Sequence, residues 1–245
     1  MTPTEQTTAS TTVYVALGDS ISIDDYAGGP GRGGASLLAR NLDEDFPEWR
    51  GRDLGSCGPT RFHLLACDGA TCRTVLDHQL PRLASLGLTP TVVTLTVGGN
   101  DLLGAYGHTP SAQAVVAHVA AAVRRMLAAL RRLMPRRGRV VVGTVYDPSD
   151  GTGDSARLGL SPWPEGVEVL AQLNSALVAA AAGHDALVAD IHQRFLGHGV
   201  LAGDPSQPSA RPPGRDLWYC NLIEPNAWGA SQVRAAFWGA LHHVL

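Results

Sequence analysis

The sequence has no excess of basic residues and no long hydrophobic run. Its 245 residues carry a formal net charge of −3 at pH 7, whereas a nucleic-acid-binding domain usually carries a basic excess. No continuous apolar run approaches the roughly 18–20 residues that a membrane-spanning helix needs. We therefore expect no nucleic-acid partner and no membrane span.

The beginning of the chain lacks the features of a signal peptide. Its first twelve residues are polar, with one acidic residue, no basic residue and no apolar stretch. We interpret residues 1–12 as a disordered tail. This interpretation predicts a cytoplasmic protein, in which cysteines stay reduced. The expected free thiols are Cys57, Cys67, Cys72 and Cys220.

No arrangement of side chains predicts a metal or a cofactor. The group Cys57, His63, Cys67 and Cys72 is not spaced as zinc ligands are. The acidic stretch at 147–154 lacks the spacing and the terminal glutamate of a calcium loop. We interpret that stretch as a loop at the rim of a site.

The composition and the apolar pattern predict a globular α/β protein. Hydrophobic residues make up 44% and charged residues 17% of the chain, which is typical of a folded domain, and residues 13–245 suit a single one. Short apolar segments predict strands at 13–17, 62–66, 91–97, 140–145 and 186–191. Most are continuous rather than alternating, as in parallel strands covered on both faces.

Longer segments between these strands have apolar residues at helical spacing. They lie at 112–134, 166–182 and 226–243, and Asn226 is suited to cap the last of them. Strands that alternate with helices predict a three-layer αβα sandwich, flavodoxin-like, with about five parallel strands. We interpret the Pro-rich stretch at 203–214 as a long surface loop near the site.

Three glycine-containing motifs directly follow predicted strands. They are Gly-Asp-Ser at 18–20, Asp-Gly-Ala-Thr at 68–71 and Gly-Gly-Asn-Asp at 98–101. In a doubly wound sheet, ligands bind at the carboxyl ends of the strands. None of the motifs has the spacing of a phosphate-binding or dinucleotide-binding loop. A serine at a tight turn between a strand and a helix is instead typical of a nucleophile.

These motifs, GDSIS at 18–22, the block around Gly69 and GGND at 98–101, resemble those of the SGNH/GDSL hydrolase family. The resemblance extends from Val13 to the last predicted helix. It implies that Ser20 is the nucleophile of an esterase that cleaves a small-molecule ester or related acyl bond through an acyl-enzyme, with no cofactor. It also implies an oxyanion hole made by the backbone N–H groups of Ser20 and Gly69 and the side-chain amide of Asn100.

The last motif of the family is altered in this chain. The family usually has an aspartate, two residues, and then His-Pro-Asn before the final helix. Here the stretch 221–226 reads Asn-Leu-Ile-Glu-Pro-Asn, so Glu224 occupies the position of the histidine and Asn221 that of the aspartate. Glu224 could itself be the base, provided that burial raises its pKa from the ordinary value of roughly 4.3.

Two other interpretations stay open. A different histidine could be the base: His198 follows the last predicted strand, and His192 is the second choice. Alternatively, the protein could bind an acyl or sugar ligand without catalysis. An acceptor better than water would turn the same Ser20 chemistry into acyl transfer. Possible residues at the rim of the site are Asp19, Asp24 and Asn221.

Overall fold

The computed structural model describes residues 11–202 and 217–245. Residues 1–10 of the expected tail and the predicted loop at 203–214 lie outside the described residues. The first strand begins at Thr12, one residue before the predicted start of the domain.

Five parallel strands form the central sheet, in the order β2-β1-β3-β4-β5. They are β1 (Thr12–Gly18), β2 (Thr60–Leu64), β3 (Val92–Thr96), β4 (Arg139–Gly143) and β5 (Leu187–Ala189). This order is the flavodoxin-like one. The predicted fold class is therefore confirmed, and each predicted strand overlaps an observed one.

Helices connect the strands and cover the sheet. They are α1 (Gly34–Ala39), α2 (Leu54–Cys57), α3 (Cys72–Thr74), α4 (Leu80–Ser85), α5 (Gly99–Leu103), α6 (Thr109–Leu133), α7 (Pro164–Ala182), α8 (Ile191–Phe195) and α9 (Ala227–Leu241). One turn of π-helix, Val75–Gln79, joins α3 to α4. Short 3₁₀ turns lie at Ser20–Ser22, Pro47–Trp49 and Ala156–Leu158. The three predicted helices correspond to α6, α7 and α9.

The core lies on both faces of the sheet, because successive side chains of a strand point in opposite directions. Val15 and Leu17 of β1 pack into the cluster that contains the buried residues of α6 and α7. Tyr14 and Ala16 pack into the opposite cluster, with α1 and α9. This two-sided burial explains why the strands read as nearly continuous apolar runs.

The predicted strands at 140–145 and 186–191 extend beyond β4 and β5, because polar side chains bind the backbone where each of these strands stops. After β4, the Val145 N–H donates to Asn174 Oδ1 and Asn174 Nδ2 donates to the Val145 carbonyl, both at 2.8 Å. After β5, Asp190 Oδ1 accepts a hydrogen bond from the Gln193 N–H at 3.1 Å and caps α8.

Helix α6 is the one helix among the described residues that is long and apolar enough, by length and composition alone, to cross a membrane. In the structure its buried residues, Val119 and Val123 among them, belong to the core that it shares with α7.

A two-stranded antiparallel hairpin precedes α9, and the sequence did not predict it. Its strands are β6 (Tyr219–Cys220) and β7 (Glu224–Pro225). The turn has Asn221 and Leu222 at positive φ, 43° and 73°. Asparagine is common at the first such position, but glycine usually follows it, and here leucine does, so the sequence carries only a weak turn signal.

Candidate active site

Ser20 lies at the carboxyl end of β1, which has β2 on one side and β3 on the other. The chain order reverses at this point of the sheet, and such a switch point opens a crevice. Ser20 begins a 3₁₀ turn whose N-cap is Asp19, and Asp19 Oδ1 accepts a hydrogen bond from the Ile21 N–H at 3.2 Å. The first N–H groups of a helical turn have no partner within it, so the Ser20 N–H is available to a ligand.

Gly18 fixes the start of this turn through two close contacts. It has a φ of 122°, and a Cβ atom at this position would lie 1.8 Å from the Thr96 carbonyl oxygen of β3. Only glycine fits here. The Gly18 N–H donates to Gln79 Oε1 at 2.7 Å, and Gln79 Nε2 donates to the Gly18 carbonyl at 2.8 Å. Gln79, at the end of the π-helical turn, therefore holds the backbone just before the nucleophile.

Hydrogen bonds bring the other two motifs to the same crevice. The Cys67 N–H donates to the Gly18 carbonyl at 3.1 Å, and Asn100 Nδ2 donates to the Ala70 carbonyl at 3.1 Å. Gly69, between Cys67 and Ala70, has a φ of 66° and is exposed. The groups that the family resemblance implies for an oxyanion hole therefore come from three adjacent strand ends.

Glu224 of the hairpin lies against Ser20. The Ser20 hydroxyl is within hydrogen-bonding reach of the Glu224 carboxylate, although no well-aligned hydrogen bond from the described residues satisfies the buried Oε2 atom. A nucleophile and its base are often paired this loosely before substrate binds. The structure thus brings together Ser20 and the residue that replaces the usual histidine.

The pKa of Glu224 is raised above its ordinary value of 4.5. Burial has the largest effect, because it disfavours the charged carboxylate. The nearby Ser20 hydroxyl acts in the opposite direction and lowers the pKa, whereas the negative charge of Asp68 raises it further. A raised pKa makes a carboxylate a stronger base.

The backbone on each side of Glu224 is held by side-chain hydrogen bonds. Tyr146, just beyond β4, donates its hydroxyl to the Ile223 carbonyl at 2.6 Å. Asn226 donates to the Leu217 carbonyl at 2.7 Å, and its Oδ1 accepts two N–H groups of the first turn of α9. The predicted N-cap is therefore confirmed, and Glu224 lies between two anchored residues.

The two candidate histidines lie elsewhere. His198 is buried, and its ring stacks on the indole of Trp218 with centroids 3.4 Å apart and planes 6° from parallel. His192, at the start of α8, has its Nδ1 3.1 Å from the Val145 carbonyl oxygen. Neither histidine lines the cavity beside Ser20.

The possible rim residues have different surroundings. Asp19 lines the cavity beside Ser20. Asp24 accepts hydrogen bonds from the N–H groups of Gly31 at 2.8 Å and Gly33 at 2.7 Å, and so orders the loop after the nucleophile. Asn221 is exposed in the hairpin turn.

The carboxylates of the acidic stretch after β4 bind loop backbone. Asp147 accepts a hydrogen bond from the Ser149 N–H at 2.8 Å, and Asp150 accepts one from the Gly199 N–H at 2.9 Å. Within the part of the chain that the structure describes, no group of three or more His, Cys, Asp or Glu side chains could hold a metal ion.

Asp19 is an ionisable group buried next to the nucleophile, with 1% of its surface exposed. Burial raises the pKa of Asp19 from 3.8 to about 6. Hydrogen bonds from the Thr96 hydroxyl and the Ile21 N–H oppose this rise, and the negative charge of Glu224 adds to it.

A cavity of about 800 Å³, counted with the space at its open mouth, lies beside Ser20. Asp19, Ser20 and Asn100 line one end of it. The rest of the wall comes from α5, the beginning of α7 and the loop after β4, and it includes Trp163. Sequence reasoning missed Trp163 and Gln79, because neither belongs to a motif and both act through contacts with distant parts of the chain.

Comparisons with known proteins agree with this geometry. Residues 16–230 match the model of the GDSL-like lipase/acylhydrolase family. A lipase from Streptomyces rimosus is 26% identical over 244 residues, which cover 90% of this chain and 83% of that protein.

Solved structures share the fold. A variant of an acetyl xylan esterase from Geobacillus stearothermophilus matches with a TM-score of 0.64 and 16% identity, over 95% of this chain and 94% of that one. The extracellular lipase from Streptomyces rimosus matches with a TM-score of 0.56 and 25% identity, over 94% of this chain and 99% of that one. The predicted family is thereby confirmed: the chain is an ester-hydrolysing enzyme that belongs to the GDSL-like lipase/acylhydrolase family.

Proposed function

We propose that Ser20 and Glu224 form the catalytic pair of this esterase, with Glu224 in the role of the usual histidine. The contact between the Ser20 hydroxyl and the Glu224 carboxylate is the observation that carries the proposal. The raised pKa of Glu224 supports it further, because a stronger base is needed near neutral pH.

In the acylation step, Ser20 Oγ attacks the carbonyl carbon of the ester, and the hydroxyl proton passes to the Glu224 carboxylate. The former carbonyl oxygen becomes negative and accepts hydrogen bonds from the Ser20 N–H, the Gly69 N–H and Asn100 Nδ2. The bond between the carbonyl carbon and the alcohol oxygen then breaks. That oxygen takes the proton from Glu224, and the alcohol leaves while the acyl group stays on Ser20.

In the deacylation step, water replaces the alcohol. Glu224 takes a proton from the water as its oxygen attacks the acyl carbon, and the same three donors stabilise the second oxyanion. The bond to Ser20 Oγ breaks, and Oγ takes the proton back from Glu224. The products are a carboxylic acid and the regenerated serine, so no cofactor enters the cycle.

Hydrolysis of p-nitrophenyl butyrate by purified variants tests this assignment. Glu224→Gln keeps the size of the side chain but removes the base, and we expect kcat/KM to fall by about 10²–10⁴. His198→Gln is the matched control, and we expect its kcat/KM to stay within a few-fold of wild type.

The opposite pattern, with Glu224→Gln active and His198→Gln inactive although folded, would assign the base to the histidine and overturn the proposal. If the folded wild-type protein hydrolyses no ester, the result would favour the interpretation that the protein binds its ligand without catalysis.

A further inference from the structure

We propose that the cavity beside Ser20 is an acyl-chain pocket closed by Trp163, and that it selects esters of medium-chain fatty acids over acetyl esters. The inference rests on the proposed function, because the cavity receives an acyl chain only if Ser20 is the residue that becomes acylated. It goes further by naming which part of the substrate the enzyme recognises.

The wall of the cavity is mainly apolar. The aliphatic side chains that line it are Ile21, Leu102, Leu103, Val145, Leu160, Val167, Leu170 and Ile223. They come from the turn at the nucleophile, α5, the loop after β4, the start of α7 and the hairpin turn, so they surround the space from several sides. Burying a methylene group against such a wall is favourable by about 0.8 kcal/mol.

The polar groups in the same wall are already bonded to protein. The Asp147 carboxylate accepts hydrogen bonds from the Ser149 hydroxyl at 2.6 Å and the Gly151 N–H at 2.8 Å. The Ser149 hydroxyl oxygen in turn accepts one from the Gly153 N–H at 3.0 Å. A sugar in this space would lose its hydrogen bonds to water and find these partners occupied, whereas a hydrocarbon chain needs none.

Trp163 closes the wall at the N-terminus of α7, and its indole is held in place. Its Nε1–H donates to the Thr109 hydroxyl at 3.1 Å, and its ring meets the Tyr106 ring edge-on with centroids 5.0 Å apart. A Cβ atom at Gly166 would lie 2.5 Å from the indole, so the ring packs directly on the backbone of α7. A fixed wall limits the length of chain that fits.

The position of Glu224 indicates which half of the ester enters the cavity. The leaving alcohol must lie beside Glu224 to receive its proton. Glu224 does not line the cavity, although its neighbour Ile223 does. Two residues close to Glu224 reach solvent: Asp68, whose charge acts on it, is exposed, and Leu222 is 50% exposed. The alcohol therefore points towards solvent, and the acyl chain extends into the cavity past Asn100.

Initial rates on p-nitrophenyl acetate, butyrate, octanoate and palmitate test the inference. If each methylene gains up to about fourfold in kcat/KM, which is the equivalent of about 0.8 kcal/mol, octanoate, with six more methylene groups, exceeds acetate by up to about 4 × 10³-fold. Palmitate falls below octanoate, because its chain exceeds the closed pocket.

Val167→Trp fills the cavity from a half-buried position on α7. We expect it to lower the octanoate-to-acetate ratio of kcat/KM at least tenfold. Val178→Trp is the matched control, because Val178 lies on the same helix, is 43% exposed and does not line the cavity. We expect that control to keep the wild-type ratio.

The possible failures are distinguishable. If the enzyme hydrolyses the acetate and octanoate esters equally and Val167→Trp has no effect, the cavity is not an acyl-chain pocket. The proposed function would stay intact. If the folded protein hydrolyses no ester, the proposed function fails. Calorimetric titration with the octanoate anion then tests whether the cavity binds an acyl chain. If octanoate binds to wild type and to Val178→Trp but not to Val167→Trp, the result supports an acyl-chain pocket. If it does not bind to wild type, the inference is overturned.

Discussion

Asp19→Asn should make the protein more stable at neutral pH, although Asp19 belongs to the motif that carries the nucleophile. The substitution removes a charge and nearly preserves the shape of the side chain. Asparagine Oδ1 can still accept the hydrogen bond from the Ile21 N–H that caps the turn. Its amide can donate to the Thr96 hydroxyl, which is also 3.2 Å from the Asp19 backbone nitrogen.

The magnitude follows from the pKa of Asp19, which burial raises from 3.8 to about 6. The unfolded chain ionises first as the pH rises, so ionisation of Asp19 destabilises the folded state. This cost is absent below about pH 4, grows between about pH 4 and 6, and is complete above about pH 6. At about 1.4 kcal/mol for each pKa unit, it reaches about 3 kcal/mol.

Urea unfolding of both proteins at pH 4 and pH 8 measures the effect. We expect Asp19→Asn to exceed wild type by up to about 3 kcal/mol in free energy of unfolding at pH 8, with little difference at pH 4 and equal m-values. Asp25→Asn, at an exposed carboxylate of the same loop, is the control and should change stability by less than about 0.5 kcal/mol. A difference between Asp19→Asn and wild type that is the same at both pH values would refute the reasoning.

Three further perturbations examine the rest of the site. Asn100→Ala removes one oxyanion donor and should lower kcat by about 10²–10³-fold in steady-state assays. An unchanged kcat would show that Asn100 is not a donor of the oxyanion hole. Gln79→Leu leaves the buried Gly18 N–H unpaired, while the Gly18 carbonyl keeps its bond from the Cys67 N–H. Denaturant titration should show a loss of about 1–3 kcal/mol in the free energy of unfolding, whereas wild-type stability would contradict the role given to Gln79. In Glu224→His, the acid limb of kcat/KM should move to the ordinary histidine range of roughly pH 6.5, and a limb identical to that of wild type would argue against Glu224 as the base.

The parts of the fold that follow local rules could be predicted from the sequence. The strands could be located because their residues are buried on both faces, and Asn226 could be recognised as a cap because its side chain acts on the next turn. The three motifs around Ser20, Gly69 and Asn100 could be placed at adjacent strand ends, because parallel strands end at the same edge of a sheet.

The supports of the site depend on contacts between distant residues, which the sequence does not display. Gln79 binds a backbone group 61 positions away, and the hydrogen bond from Tyr146 to the Ile223 carbonyl spans 77 positions. The hairpin that carries Glu224 was missed because Leu222 follows Asn221 in its turn at positive φ, where glycine is usual. The contact between Glu224 and Ser20 emerges only once this hairpin is folded.

The activation of Ser20 is the central claim, and a fluorophosphonate tests it most directly without any assumption about the natural substrate. Ser20 Oγ forms a bond to phosphorus, fluoride leaves, and the added mass is read on the intact protein. We predict a stoichiometric adduct on wild type, no adduct on Ser20→Ala, and much slower labelling of Glu224→Gln. A folded wild type that stays unlabelled would contradict the account, and so would labelling of Glu224→Gln at the wild-type rate.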